Sequence, residues 1–81
     1  MTQTEAYEAV LEILKKEPFE IQNTDQFTES TLLPTFLESL EIIDLVMHIE
    51  AEVGCSITDY TVESWNTIGD VATTYRNFKE E

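Results

Sequence analysis

The segment from Thr35 to Val53 most constrains the fold, because its apolar residues form two separate stripes on a single helix. At about 100° per residue, Ile42, Leu45, Val46, Ile49 and Val53 fall on one side, the spacing of a helix packed on a core. Phe36, Leu40, Ile43 and Met47 fall on a second stripe well away from the first. Glu41, Asp44, His48 and Glu52 take the remaining, polar side. A helix buried along one face has no structural need of a second apolar stripe. That stripe therefore either covers another element of the domain or meets a partner or an attached ligand. Ser39 projects between the two stripes near the helix start, and Gly54 is placed to stop the helix.

The chain's 81 residues make one domain, 1–81, with room for a modest core and little for a cleft holding several catalytic groups. Seventeen acidic residues against four basic ones give a formal charge of -13. Such a surface repels nucleic-acid phosphates and anionic lipids and attracts proteins with basic patches, so the expected partners are proteins and not nucleic acid. An apolar fraction of 42% is enough for folding, although like-charge repulsion should make the fold salt-sensitive. No run of 18 apolar residues occurs, and the first five residues lack the basic and apolar regions of a signal peptide. A cytoplasmic monomer without membrane insertion is expected. Cys55 is the sole cysteine, which excludes an intramolecular disulfide and agrees with a reducing compartment.

From Thr4 to Lys16, Tyr7, Val10, Leu11 and Leu14 recur at i, i+3, i+4 and i+7, predicting an amphipathic first helix followed closely by Pro18. Glu17 to Pro34 mixes Pro, Asn, Asp, Thr and Ser with isolated Phe19, Ile21, Phe27, Leu32 and Leu33, the pattern of a long loop pinned to a core. Asp59 to Ser64 predicts a short helical turn with Trp65 packed behind it. Thr67 and Asp70 have capping-box spacing for a last helix that buries Ile68, Val71, Ala72, Tyr75 and Phe78. Thr35 and Glu38 share that spacing, which would start the second main helix a turn early and carry Ser39 into its first turns. No convincing strand pattern or repeat is visible, so the fold class is all-α, with three main helices and one short one.

The triplet Glu38-Ser39-Leu40 resembles the prosthetic-group attachment site of acyl carrier proteins, in which an acidic residue, a serine and a bulky apolar residue open the second helix. The similarity extends to the long first loop, the Leu45-Val46-Met47 run followed by acidic residues, the short third helix and the final amphipathic helix. It implies a small acyl-carrier-protein-like bundle with a long loop between helices 1 and 2. It further implies that Ser39 accepts phosphopantetheine from coenzyme A through a phosphopantetheinyl transferase. The arm's thiol would then carry acyl or aminoacyl groups as thioesters between enzymes, as in fatty acid or polyketide biosynthesis. By the same resemblance, Glu38, Glu41, Asp44 and Glu50 are acidic docking positions for basic partner enzymes, and Leu40, Ile43 and Met47 are apolar ones. The chain departs from the family in having Glu38 where aspartate is usual and Phe36 where glycine is common. A narrower similarity, through Ile57-Thr58-Asp59-Tyr60 and Trp65-Asn66-Thr67, is to D-alanyl carrier proteins of the cell-wall pathway.

Other residues invite blander readings. Asp44, His48 and Glu52 are spaced to hold a divalent cation loosely, but a solvent-facing polar stripe is the simpler expectation, since no cysteine or second histidine completes a site. Cys55 lies about two turns beyond His48 and lacks a partner base, so no catalytic constellation is apparent and no enzyme is expected. The alternative to a carrier is an unmodified helical interaction module that uses the same acidic face.

Overall fold

Thr2 and Glu5 start the first helix by a reciprocal exchange: the Thr2 hydroxyl accepts the Glu5 N–H at 3.1 Å, and the Glu5 carboxylate accepts the Thr2 N–H at 2.8 Å. These bonds from Thr2 hold the Glu5 carboxyl below its ordinary value. The computed structural model describes residues 1–79 and contains, among them, four α-helices and no strand. These are α1 (Gln3–Lys15), α2 (Ser39–Val53), α3 (Asp59–Glu63) and α4 (Ile68–Lys79). The buried face of α1 is rotated from the expected stripe. Val10 and Leu14 are buried as anticipated, but Ala6 and Ile13 join them while Tyr7 and Leu11 are only half-buried. The cause is the partner: α1 packs chiefly on α4, which sets the face that α1 buries. The Tyr7 hydroxyl is buried without a hydrogen-bond partner among the described residues.

The expected Thr67–Asp70 capping box is present. The Thr67 hydroxyl accepts the Asp70 N–H at 3.2 Å, and the Asp70 carboxylate accepts the N–H groups of Thr67 and Asn66 at 3.0 and 2.8 Å. Burial pushes the Asp70 carboxyl up, but these bonds outweigh it and leave the group below its ordinary value. Helix α4 buries Ile68, Val71, Ala72, Thr74 and Tyr75, with Phe78 half-buried. Trp65 is buried behind α3, and its indole N–H donates to the Thr74 hydroxyl at 2.9 Å. Both polar groups are thereby satisfied inside the core.

The long loop is held from within and from its backbone. Phe19, Leu33 and Leu37 are buried, and Ile21 and Phe27 are half-buried, whereas Leu32 is exposed. Two 3₁₀ turns, Thr24–Gln26 and Leu33–Thr35, shape it. Backbone N–H groups of Leu33, Ile68 and Gly69 donate to the carbonyls of Asn66, Thr31 and Glu29 at 2.9, 3.0 and 2.9 Å, which stitches the loop to the start of α4. The Gln3 side-chain amide ties α1 to the same junction through Glu29 Oε1 and the Gly69 carbonyl. The core is completed by Leu45 and Ile49 of α2, both fully buried. Burial of each such side chain contributes about 1.5–3 kcal/mol, and Ile42, Val46 and Val53 pack partly buried against the same core. No helix among the described residues is long and apolar enough to cross a membrane.

Candidate functional site at the start of α2

Glu38 is extended (φ -89°, ψ 168°) and forms the N-cap of α2, and its backbone N–H donates to Glu41 Oε1 at 2.9 Å. Ser39 is the first helical residue. The early start suggested by Thr35 and Glu38 does not occur. Thr35 instead belongs to the 3₁₀ turn, and Phe36 leaves it in a non-helical conformation. The reason lies upstream: Leu37 is buried, and its N–H bonds to the Leu33 carbonyl at 2.9 Å, which anchors the chain in a different direction before the helix begins. A capping serine would direct its hydroxyl onto a backbone N–H, but the cap here is Glu38. The Ser39 side chain is exposed and makes no hydrogen bond among the described residues.

The two expected stripes separate cleanly on α2. Leu45 and Ile49 are buried, and Ile42, Val46 and Val53 are half-buried on the same side. Leu40, Ile43 and Met47 are 75%, 56% and 61% exposed, so nothing in the described domain covers them. Phe36 does not extend this stripe. It lies outside α2 and packs on Phe27 with ring centroids 4.6 Å apart, which makes it a staple for the long loop. Glu38 is exposed, and Glu41 and Asp44 are half-buried beside the apolar residues. Helix α2 and its cap contain Glu38, Glu41, Asp44, Glu50 and Glu52 but no lysine or arginine. The chain's basic residues are Lys15, Lys16, Arg76 and Lys79, at the ends of α1 and α4. Lys79 reaches the far end of α2, where it donates to the Glu52 carbonyl at 3.0 Å and complements the negative end of the helix.

Two residues of α2 serve the fold in ways their positions did not reveal. Glu50 Oε2 accepts the Ile57 N–H at 2.6 Å and so clamps the segment after α2. One of its carboxylate oxygens is thus engaged by its own chain. His48 is not on a solvent-facing stripe as expected: it is half-buried, with its ring edge-on to Phe19 at 5.3 Å. Its Nδ1 lies 2.8 Å from the Asp44 carbonyl, and since a carbonyl only accepts, that nitrogen carries the proton. Asp44, His48 and Glu52 accordingly do not converge, and no group of three metal-binding side chains occurs among the described residues. Cys55 is exposed beyond the left-handed Gly54 (φ 75°) that ends α2.

Two surface depressions are bordered by residues other than Ser39. One of about 310 Å³ is bordered by Glu8, Leu11, Thr24 and Asp25, and one of about 130 Å³ by Lys16, His48 and Glu52. No base is hydrogen-bonded to the Ser39 hydroxyl among the described residues. The arrangement presents an accessible hydroxyl beside an uncovered apolar stripe with an acidic border. Compared with protein-family models and with curated proteins, the chain matches none.

Proposed function

We propose that the chain is an acyl-carrier-type protein of the acyl-carrier-protein-like helical bundle, carrying phosphopantetheine on Ser39. One observation carries the reading: an exposed, unengaged serine hydroxyl opens a long helix whose next turns expose Leu40, Ile43 and Met47 beside Glu38, Glu41 and Asp44. Ser39 supplies the acceptor oxygen. A phosphopantetheinyl transferase forms its bond to the pantetheine phosphate, the hydroxyl proton is lost, and the nucleotide half of coenzyme A departs. The backbone N–H groups of Ser39 and Leu40, which have no carbonyl partner in the helix, favour an anion at that place. When attached, the group supplies a thiol for thioester transport, and the acyl or aminoacyl chemistry belongs to partner enzymes.

The acidic border steers basic partner enzymes toward α2, and the apolar stripe gives them a surface to desolvate. Glu38, Leu40, Glu41, Ile43, Asp44 and Met47 form this docking face, with Glu50 at its far end through its second carboxylate oxygen. A second reading, an unmodified interaction module, draws on the same uncovered stripe, since a protein partner can bury Leu40, Ile43 and Met47 whether or not Ser39 is modified. Intact mass after incubation with coenzyme A and a broad-specificity transferase separates the two. Gain of one prosthetic-group mass, lost in Ser39→Ala, supports the carrier. An unchanged mass favours the module.

A further inference from the structure

From the hydrogen bond at the start of α2, we infer that Glu41 is a positioning residue for Ser39, in a role separable from its negative charge. The inference rests on the carrier reading, because it concerns the same acceptor hydroxyl. Upstream, Leu37 is buried in the core, and downstream the first fully buried residue of α2 is Leu45. Between these anchors, Glu38, Ser39 and Leu40 are all exposed, so no side-chain packing holds them. The bend is defined by the Ile42 N–H, which donates to the Glu38 carbonyl at 3.0 Å, and by a capping box in which the Glu38 carboxylate faces the Glu41 N–H and the Glu38 N–H donates to Glu41 Oε1 at 2.9 Å. The bond to Glu41 Oε1 is the one that the Glu41 side chain supplies. Without it, the Glu38 N–H returns to solvent and the first turn, which carries Ser39, frays. A transferase that must hold Ser39 in one geometry then meets a mixture of geometries, and the rate falls with the fraction correctly formed.

Glutamine keeps the acceptor oxygen and removes the charge, whereas alanine removes both. Asp44→Asn removes one charge from the next turn without touching the cap. The test measures transferase-catalysed attachment to wild type, Glu41→Gln, Glu41→Ala and Asp44→Asn at low and high salt, with amide hydrogen exchange at Glu38, Ile42 and Ile43. Glu41→Gln should slow attachment about as much as Asp44→Asn, and high salt should erase both deficits. Glu41→Ala should be slower by a further factor of roughly three to ten that persists at high salt, with exchange at the three amides faster by a similar factor, in keeping with the loss of a helix cap. Equal high-salt rates for the alanine and glutamine variants, or unchanged exchange in the alanine variant, would overturn the inference. If wild type takes up no group at all, the carrier reading fails, and the exchange data alone then show whether Glu41 orders the helix start.

Discussion

The Gly69 N–H donates to the Glu29 carbonyl at 2.9 Å, and a methyl group on Gly69 would lie 2.9 Å from that same oxygen. The long loop and the first turn of α4 therefore meet where only a glycine fits. Gly69→Ala should force the Glu29 backbone away and weaken the neighbouring Ile68–Thr31 bond. Overpacking of this kind costs about 1–3 kcal/mol, against which alanine's helix preference returns about 1. A net loss of about 1 kcal/mol in urea unfolding is expected. An unchanged or higher urea midpoint would show that the loop is not clamped at this point.

Trp65 and Thr74 make the second test. Thr74→Val preserves shape but leaves the buried indole N–H without its acceptor, at a cost of about 1–3 kcal/mol. Thr74→Ser, which keeps the hydroxyl, should lose less. If the valine variant proves as stable as wild type by chemical denaturation, the indole has found another partner.

The extent to which this fold could be read from sequence follows from the range of each interaction. The core stripes of α2 and α4, the Thr67–Asp70 box and the stop at Gly54 depend on residues within a turn or two and were legible, whereas for α1 the helix was legible but its buried face was not, because packing on α4 set it. The start of α2 was ambiguous because Thr35–Glu38 and Glu38–Glu41 share the same spacing. Burial of Leu37 in a distant core decided between them. His48 under Phe19, Phe36 on Phe27 and Glu50 on the Ile57 N–H join segments whose approach no local pattern encodes. Thr74 was invisible for the same reason, since a threonine on α4 becomes a core residue only once Trp65 is placed against it. At the candidate site, the exposure of Leu40, Ile43 and Met47 followed from the second stripe, but the free Ser39 hydroxyl did not.

The Asp70 carboxyl provides a pH test. Its folded value lies below the ordinary 3.8, so the stability it contributes is fully present above that value and is lost as pH falls through the lower, folded value. General relief of acidic repulsion acts in the opposite direction in this chain and would mask the effect in wild type alone. Comparison with Asp70→Asn removes that background. The wild-type advantage in denaturant midpoint should be constant near neutrality and shrink below about pH 3.8. A gap independent of pH would mean that the charge of Asp70 plays no part in the cap.

Charge reversal tests the proposed docking face. Asp44→Lys places a cation beside Ile43 and Met47, whereas Glu8→Lys makes the same change in net charge on α1. Asp44→Lys should slow transferase association by roughly tenfold at low salt and by less at high salt, while Glu8→Lys should leave it nearly unchanged. Circular dichroism should show both variants folded. Equal slowing by the two would mean that net charge alone attracts the partner, and α2 would lose its assignment as the docking face.

Intact-mass spectrometry tests the proposed acceptor role of Ser39. Wild type incubated with coenzyme A, magnesium and a broad-specificity phosphopantetheinyl transferase should gain one phosphopantetheine mass, with the added group located on the peptide containing Ser39. Ser39→Ala should gain nothing while keeping its helical circular dichroism, because the exposed hydroxyl makes no hydrogen bond within the fold. An unmodified wild type under conditions that load a control carrier, or a modified alanine variant, would rule out Ser39 as the attachment residue.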